Sequence, residues 1–403
     1  MSGDADAIVV GAGPAGSAVA TLLSRGGLRV LLLDKAPAPP PKVCGEYLSP
    51  GCLPILDRLG ALTSLRDSGG RPLHGMLIHT AVGRTLRATY PDRTHPEGAP
   101  PHALSVTRTL LDPLLLDLAV KSGATFEPSV QASDLFWQDG RLTGVHGWQG
   151  GSRVTYCAPL VVGADGRQSV VARRIGAMRQ HPWLDRMAIV TYLAGARRED
   201  EVGEIFLARD RYAILNPIAP NLTNLGLVVS RRDLPRGEDP RRGVWRIAAT
   251  LPGLTDRLTS AKAVAPGRCL GPLAHRATQL AVPGALLVGD AAGFLDPFTG
   301  EGIYAALRSA EIAAQHVLEQ KPAGDYGEAW WREFAPKWRI ASLLQRAIRR
   351  PWLAEILAAS LSTRPALTST LMAAFGDLLS PDDLRPGRLL SRLAGHSRAS
   401  QVI

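Results

Sequence analysis

Residues 7–34, AIVVGAGPAGSAVATLLSRGGLRVLLLD, constrain the fold more than any other stretch of the chain. Ile8, Val9 and Val10 form a short β-branched run, the pattern of a parallel strand buried on both faces. Gly11, Gly13 and Gly16 follow in G-x-G-x-x-G spacing, with Pro14 and Ala15 inside the same turn. The first glycine permits the tight turn, the second lets a pyrophosphate approach the backbone, and the third lets the helix pack on the sheet. Ser17–Ser24 reads as that helix, its free N–H groups and positive dipole end turned toward the phosphates. Gly26 and Gly27 end it. Val30–Leu33 reads as a second strand, followed by Asp34 and Lys35. A carboxylate at the position of Asp34 accepts hydrogen bonds from an adenosine ribose. Strand, turn, helix, strand and terminal acid in this order predict a dinucleotide site and leave FAD and NAD open.

A chain of 403 residues calls for two lobes, or one domain with a large insertion. No basic segment followed by an apolar run stands at the N-terminus, and no apolar stretch is long enough to cross a bilayer. The four cysteines, Cys44, Cys52, Cys157 and Cys269, form no C-x-x-C pair, which argues against a zinc site or a redox dithiol of that type. A reducing cytoplasm is the expected setting. His74 and His79 lack a third ligand at useful spacing, so no metal site is expected. The net charge of +10 is spread along the chain without a nucleic-acid motif, and reads as a solvated basic surface.

Ala36–Lys42, rich in proline, is an extended loop that delivers Val43–Pro50. A helix is expected from Pro50 to Leu59, strands from Leu73 to Thr89, and a helix from Ser105 to Lys121 with Leu110, Leu114, Leu115 and Leu118 on one face. Asp139-Gly140 and Gly150-Gly151 read as hairpin turns. Leu160–Val162 and Leu286–Val288 are further buried strands, followed by Gly163-Ala164-Asp165-Gly166 and by Gly289-Asp290. Three glycine-acid segments at carboxyl ends of strands would converge on one crevice. In the third, GDAAGFLDPFTGEG, Asp290 suits a polyol hydroxyl. Pro297, Gly300 and Gly302 turn the chain into a helix running to Leu318, whose N-terminus would stabilise an electron-rich ring. The tail from Trp330 is helical with breaks at Pro351, Pro365 and Pro381. Its Leu, Ile and Ala beside Arg349 and Arg350 suit packing over the rest of the molecule, with peripheral membrane contact as the second reading.

GAGPAG with Asp34, GADGRQS at Gly163–Ser169 and Gly289-Asp290 together resemble the FAD-dependent oxidoreductases of the para-hydroxybenzoate hydroxylase fold, the group A flavoprotein monooxygenase superfamily. KVCGEYLSPG at Lys42–Gly51, SVVARRIG at Ser169–Gly176 and GDAAGFLDPFTGEGIYAAL resemble its geranylgeranyl reductase-like branch. The resemblance implies FAD, with its pyrophosphate on the first segment, its ribityl chain on Asp290, support from Asp165, and contact with Arg108; with no His or Cys in a short N-terminal attachment context, the FAD is expected to be noncovalent. It places Cys44, and Gly45 beside it, at the flavin. That branch carries Tyr-x-Trp-x-Phe-Pro on a substrate-lobe strand. Here Tyr212 and Pro217 are kept, while Ile214 and Asn216 stand in place of Trp and Phe. The halogenase pattern Trp-x-Trp-x-Ile-Pro is absent, which argues against halogenation.

The expected fold is α/β: a Rossmann-like FAD lobe from residues 1–70, 102–185 and 270–325, a mostly antiparallel β lobe from 71–101 and 186–269, and a helical region from 326–403. The leading functional reading is a hydroxylating monooxygenase acting on a small apolar organic substrate. Reduction of a carbon–carbon double bond, with Cys44 or Tyr212 as proton donor, is the alternative. A flavin-binding protein without turnover comes third. No second G-x-G-x-x-G follows a strand, so NAD(P)H would bind only transiently as reductant.

Overall fold

The structure, a computed structural model, describes residues 4–42, 46–91, 101–234, 243–385 and 387–388. Its first layer is a six-stranded sheet in the order Ala281–Val282, Ala285–Leu287, Val161–Gly163, Ala7–Val10, Val30–Leu33, Thr125–Glu127. All neighbours run parallel except the first pair. The apolar runs are buried end to end because helices Pro14–Arg25, Arg108–Lys121 and Gly302–Leu318 pack with the sheet into one core. The first helix starts on Pro14, whose fixed φ and missing N–H suit a first helical position.

Helix Arg108–Lys121 is rotated relative to the leucine stripe expected for it. Arg108, Leu111, Asp112, Leu115 and Ala119 face inward, while Leu110, Leu114 and Leu118 flank the core. The inward face carries a bidentate Arg108–Asp112 pair at i, i+4 (2.6 and 2.7 Å), and an ion pair in that register dictates the rotation. Both predicted hairpin turns form, with φ of 49° and 75° at Asp139 and Gly140 and of 55° and 84° at Gly150 and Gly151.

The second layer is an eight-stranded sheet from Gly75–His79, Thr85–Thr89, Arg186–Ala194, Val202–Ala208, Arg211–Ala219, Leu222–Ser230, Lys262–Ala263 and Arg268–Leu270. It is antiparallel except where Gly75–His79 meets Val202–Ala208. One face packs on the short helices Val244–Ala248 and Leu254–Leu258. The other faces helices Pro351–Ser362 and Pro365–Phe375 and the second half of helix Ala323–Ile348. That long helix ties the layers together. Tyr326, Trp330 and Phe334 sit in the core of the six-stranded sheet, and Tyr326 donates to the Leu287 carbonyl at 2.6 Å. Ile348, at its other end, packs on the eight-stranded sheet.

Candidate functional site in the cleft between the sheets

The three glycine segments lie at the carboxyl ends of three adjacent parallel strands and interlock. A Cβ on Gly11 (φ +104°) would fall 2.5 Å from the Ala164 carbonyl oxygen, and one on Gly16 only 1.7 Å from the Gly11 oxygen. A Cβ on Gly289 would lie 2.8 Å from that of Ala15. Gly13 differs: its Cβ would meet only the Lys42 ammonium, at 3.3 Å. The open side of Gly13, the helix N-terminus behind it and the Lys42 cation together form an anion cradle that fits a pyrophosphate.

Asp34 stands beside this cradle, at the end of the second strand. One carboxylate oxygen accepts from the Ala12 N–H at 2.7 Å and the other from Ala36 at 2.9 Å, while Lys35 is exposed beside it. Asp165 turns inward instead. It accepts from the Ser169 hydroxyl at 2.5 Å and the Val170 N–H at 2.6 Å, so it fixes the turn that carries its segment. Burial raises its carboxyl and these bonds oppose that shift. The Asp290 carboxylate makes no hydrogen bond to a described residue; only its backbone carbonyl is engaged, by His275 at 2.7 Å. Burial raises its pKa, against the pull of His275, Arg167, Arg108 and Lys42. An acceptor without a partner, amid cations at a strand end, fits a polyol chain.

The turn Pro297–Thr299 is capped by Asp296, which accepts from the Phe298 N–H at 3.0 Å. Gly300 (φ +70°) allows Tyr47 to pack against it, and Gly302 opens the helix Gly302–Leu318. Glu46 and Tyr47 therefore lie between Arg108 and this turn. Cys44 and Gly45 are outside the described residues.

From the turn, an apolar cavity of about 370 Å³ extends between the eight-stranded sheet and the C-terminal helices. Its wall is mainly aliphatic: Ile78, Val190, Ile205 and Ile214 from the sheet, Leu357 and Leu371 from the helices. Polar groups gather at its cofactor end. Tyr192 donates to one oxygen of Glu46. Burial pushes the Glu46 carboxyl up to about 7, against the bonds from Tyr192 and the Arg108 backbone. Asn216 and Asn224 lie beside it.

Tyr212 does not reach the cavity wall. It is fully buried, its hydroxyl donates to Asp296, and its ring meets Phe298 edge-on at 5.1 Å. Arg186 joins the same buried cluster through Asp296 (3.4 Å), Asp210 (3.0 Å) and Gln345 (2.5 Å). Tyr212 thus supports the turn before Gly300 from behind.

Sequence reasoning passed over Lys42, Glu46, Tyr192 and Asn224. Lys42 and Glu46 stand in the quoted stretch Lys42–Gly51, where a lysine after a proline loop is the one local signal of an anion site. The others are recognisable only once the strands are paired.

Fold and site define an FAD-dependent oxidoreductase. The chain belongs to the FAD-binding domain family, whose model matches residues 4–319. It is 26% identical over 408 residues to a menaquinone reductase from Mycolicibacterium smegmatis, covering 95% of this chain and 94% of that protein. It is 25% identical to the 1H-pyrrole-2-carbonyl-[peptidyl-carrier protein] chlorinase of Pseudomonas fluorescens, over 81% of this chain and 78% of the relative. A digeranylgeranylglycerophospholipid reductase from Methanosphaerula palustris is 26% identical over 85% of the chain and 84% of its own length. Among solved structures, the flavin-dependent brominase Bmp2 superposes with a TM-score of 0.82 at 19% identity, covering 96% of this chain and 98% of that one. The likeness extends to the geranylgeranyl reductase-like branch and, for the fold, to halogenases.

Proposed function

We propose that this protein is a hydroxylating monooxygenase acting on an amphiphilic substrate with an apolar tail. The observation that carries this reading is the distribution of polarity in the cavity: polar groups cluster at the cofactor end and the aliphatic wall runs away from it. A substrate so oriented presents its head, not its tail, to the reactive centre. Bound FAD supplies the electron transfer that hydroxylation requires, with dioxygen as oxidant. In the overall reaction a substrate C–H becomes C–OH, the second oxygen leaves as water, and NAD(P)H bound transiently in the cleft gives up two electrons.

The chain's own part is to hold and exclude. Gly13, Lys42 and the first helix hold the pyrophosphate, Asp34 the adenosine ribose, and Asp290 the ribityl chain. The C-terminal helices keep water off the far side of the cavity, a requirement of oxygen chemistry at a flavin. Glu46, with a pKa near neutrality, takes or returns a proton at its free carboxylate oxygen. Oxygen uptake matched one-to-one to NAD(P)H oxidation, with an alkylphenol as trial substrate, supports the reading. Turnover that proceeds only without oxygen refutes it.

Double-bond reduction is the second reading, favoured by a menaquinone reductase that aligns along nearly the whole chain. Both readings place a tail in the cavity, and the cavity mouth suggests where it enters. Leu343 lines the cavity and is 62% exposed, and Trp352 and Ile356 on the following helix are 62% and 58% exposed. Val82, 74% exposed, is held beside them, its N–H donating to Glu355. Residues 338–376 carry five arginines and one glutamate. Exposed apolar side chains on a stretch with a net positive charge suit docking on an anionic lipid surface.

A further inference from the structure

Where it lines the cavity, the inner face of the eight-stranded sheet is mainly aliphatic apart from one row. Tyr192 is the register partner of Asn224, and Asn224 that of Asn216, so three polar side chains stand level on three adjacent strands. Strands are spaced by about 4.8 Å, so the row spans roughly 10 Å of wall. Glu46 sits over one end of it, held by Tyr192.

The row is not satisfied from within the protein. Asn216 and Asn224 are 8% and 7% exposed, and Glu46 is 3% exposed. Yet Asn216 Oδ1 finds no hydrogen-bond partner among the described residues, and Asn224 Nδ2 and Glu46 Oε2, near enough for the Asn224 amide to pull the Glu46 carboxyl down, meet no partner in good hydrogen-bond geometry; all three residues line the cavity. Buried polar atoms are nearly always paired, and an orphan costs the desolvation of its group. Gly203 on the next strand makes room for the row: a Cβ there would lie 2.7 Å from Asn216 Oδ1. The orphans comprise one amide donor and one amide acceptor on paired strands, with a carboxyl oxygen alongside.

A single hydroxyl is both donor and acceptor, and so answers both amides at once. We propose that Asn216 and Asn224, with Glu46, form a subsite for a hydroxyl group on the head of the substrate, so that the substrate class is a hydroxylated ring carrying an apolar tail. A plain hydrocarbon chain leaves all three atoms unpaired, and the site rejects it for that reason. This rests on the proposed orientation, head toward the cofactor and tail toward the helices, but not on which reaction follows.

The test is a matched pair of probes, 4-nonylphenol and nonylbenzene, titrated into the oxidised FAD-loaded enzyme with flavin absorbance as readout. The phenol is expected to bind ~10-fold or more tighter than the deoxy compound. Asn216→Leu and Asn224→Leu should each erase most of that preference, the phenol binding more weakly and nonylbenzene more tightly once the orphaned amide is gone. Equal affinities in the wild type, or a preference that survives both substitutions, overturns the subsite, and the first comparison needs no variant to fold. Selective binding of the phenol without its hydroxylation would keep the subsite and count against the monooxygenase reading.

Discussion

Gly13 and Gly16 are three residues apart and fail differently when given a side chain. A Cβ at Gly16 strikes backbone at 1.7 Å, whereas at Gly13 it meets only the movable end of Lys42. Gly13→Val should therefore fold and lose FAD, with affinity down ~100-fold (about 2.7 kcal/mol), read from bound flavin after gel filtration. Gly16→Val should fail to give folded protein at all. At Asp290 the carboxylate is left free for the cofactor, so Asp290→Ala should weaken FAD binding by ~1.5–3 kcal/mol, measured by flavin fluorescence on titration of the apoprotein. A lowered melting temperature with unchanged FAD affinity would make Asp290 a structural residue only. Glu46 predicts a pH dependence. Its carboxyl is raised from 4.5 to about 7 by folding, so the folded state binds the proton more tightly than the unfolded one. The stability this contributes is fully present below pH 4.5 and is lost as pH rises to about 7. The loss is ~3 kcal/mol. Glu46→Gln should flatten the fall in stability between these pH values, and an unaltered profile would show that Glu46 ionises normally.

Among the elements, the C-terminal helices depend on one buried tie. After helix Pro365–Phe375 the chain brings Asp377 against Lys337 and the Ser49 hydroxyl, and Gly51 donates to the Gly376 carbonyl at 2.9 Å. Burial, with Asp377 beside it, pushes Glu301 up to about 7. Removing one partner strands a buried charge, so Asp377→Ala should cost ~3–5 kcal/mol in denaturant unfolding, and Lys337→Met with Asp377→Leu should recover most of it. If the single substitution costs nothing, the tie does not hold these helices. Such contacts also mark where sequence reasoning stops. The strand ends at Gly11, Gly163 and Gly289 were legible because each is written locally, as an apolar run followed by glycine and, at two of them, a nearby acid. Helix Gly302–Leu318 was legible to the residue at both ends. Ser49 and Asp377 are 328 positions apart, and Glu46 and Tyr192 are 146 apart, so no local pattern pairs them. Asn216 was visible only as a departure from an aromatic pattern. Its meaning depends on register with Asn224, which is set by the whole sheet. Tyr212 was conspicuous in sequence for the same pattern, yet the fold commits its hydroxyl to Asp296.

For the molecule as a whole, the proposed function joins the cofactor cleft, the polar row and the aliphatic cavity, with the exposed Leu343 at its other end. No helix among the described residues is long and apolar enough to cross a membrane. The protein should sediment with vesicles containing phosphatidylglycerol, less with pure phosphatidylcholine, and Trp352→Glu with Ile356→Glu should abolish it without changing FAD content. Indifference to lipid charge and to both substitutions would remove the membrane from the account. The central claim is that the site oxygenates the hydroxylated head of an amphiphile. It is tested most directly by turning over an alkylphenol with NAD(P)H under isotopically labelled dioxygen and weighing the product. The account predicts one labelled oxygen atom in the ring and an unaltered chain. A product heavier by two hydrogens, formed from an unsaturated chain without oxygen and carrying no label, would contradict it.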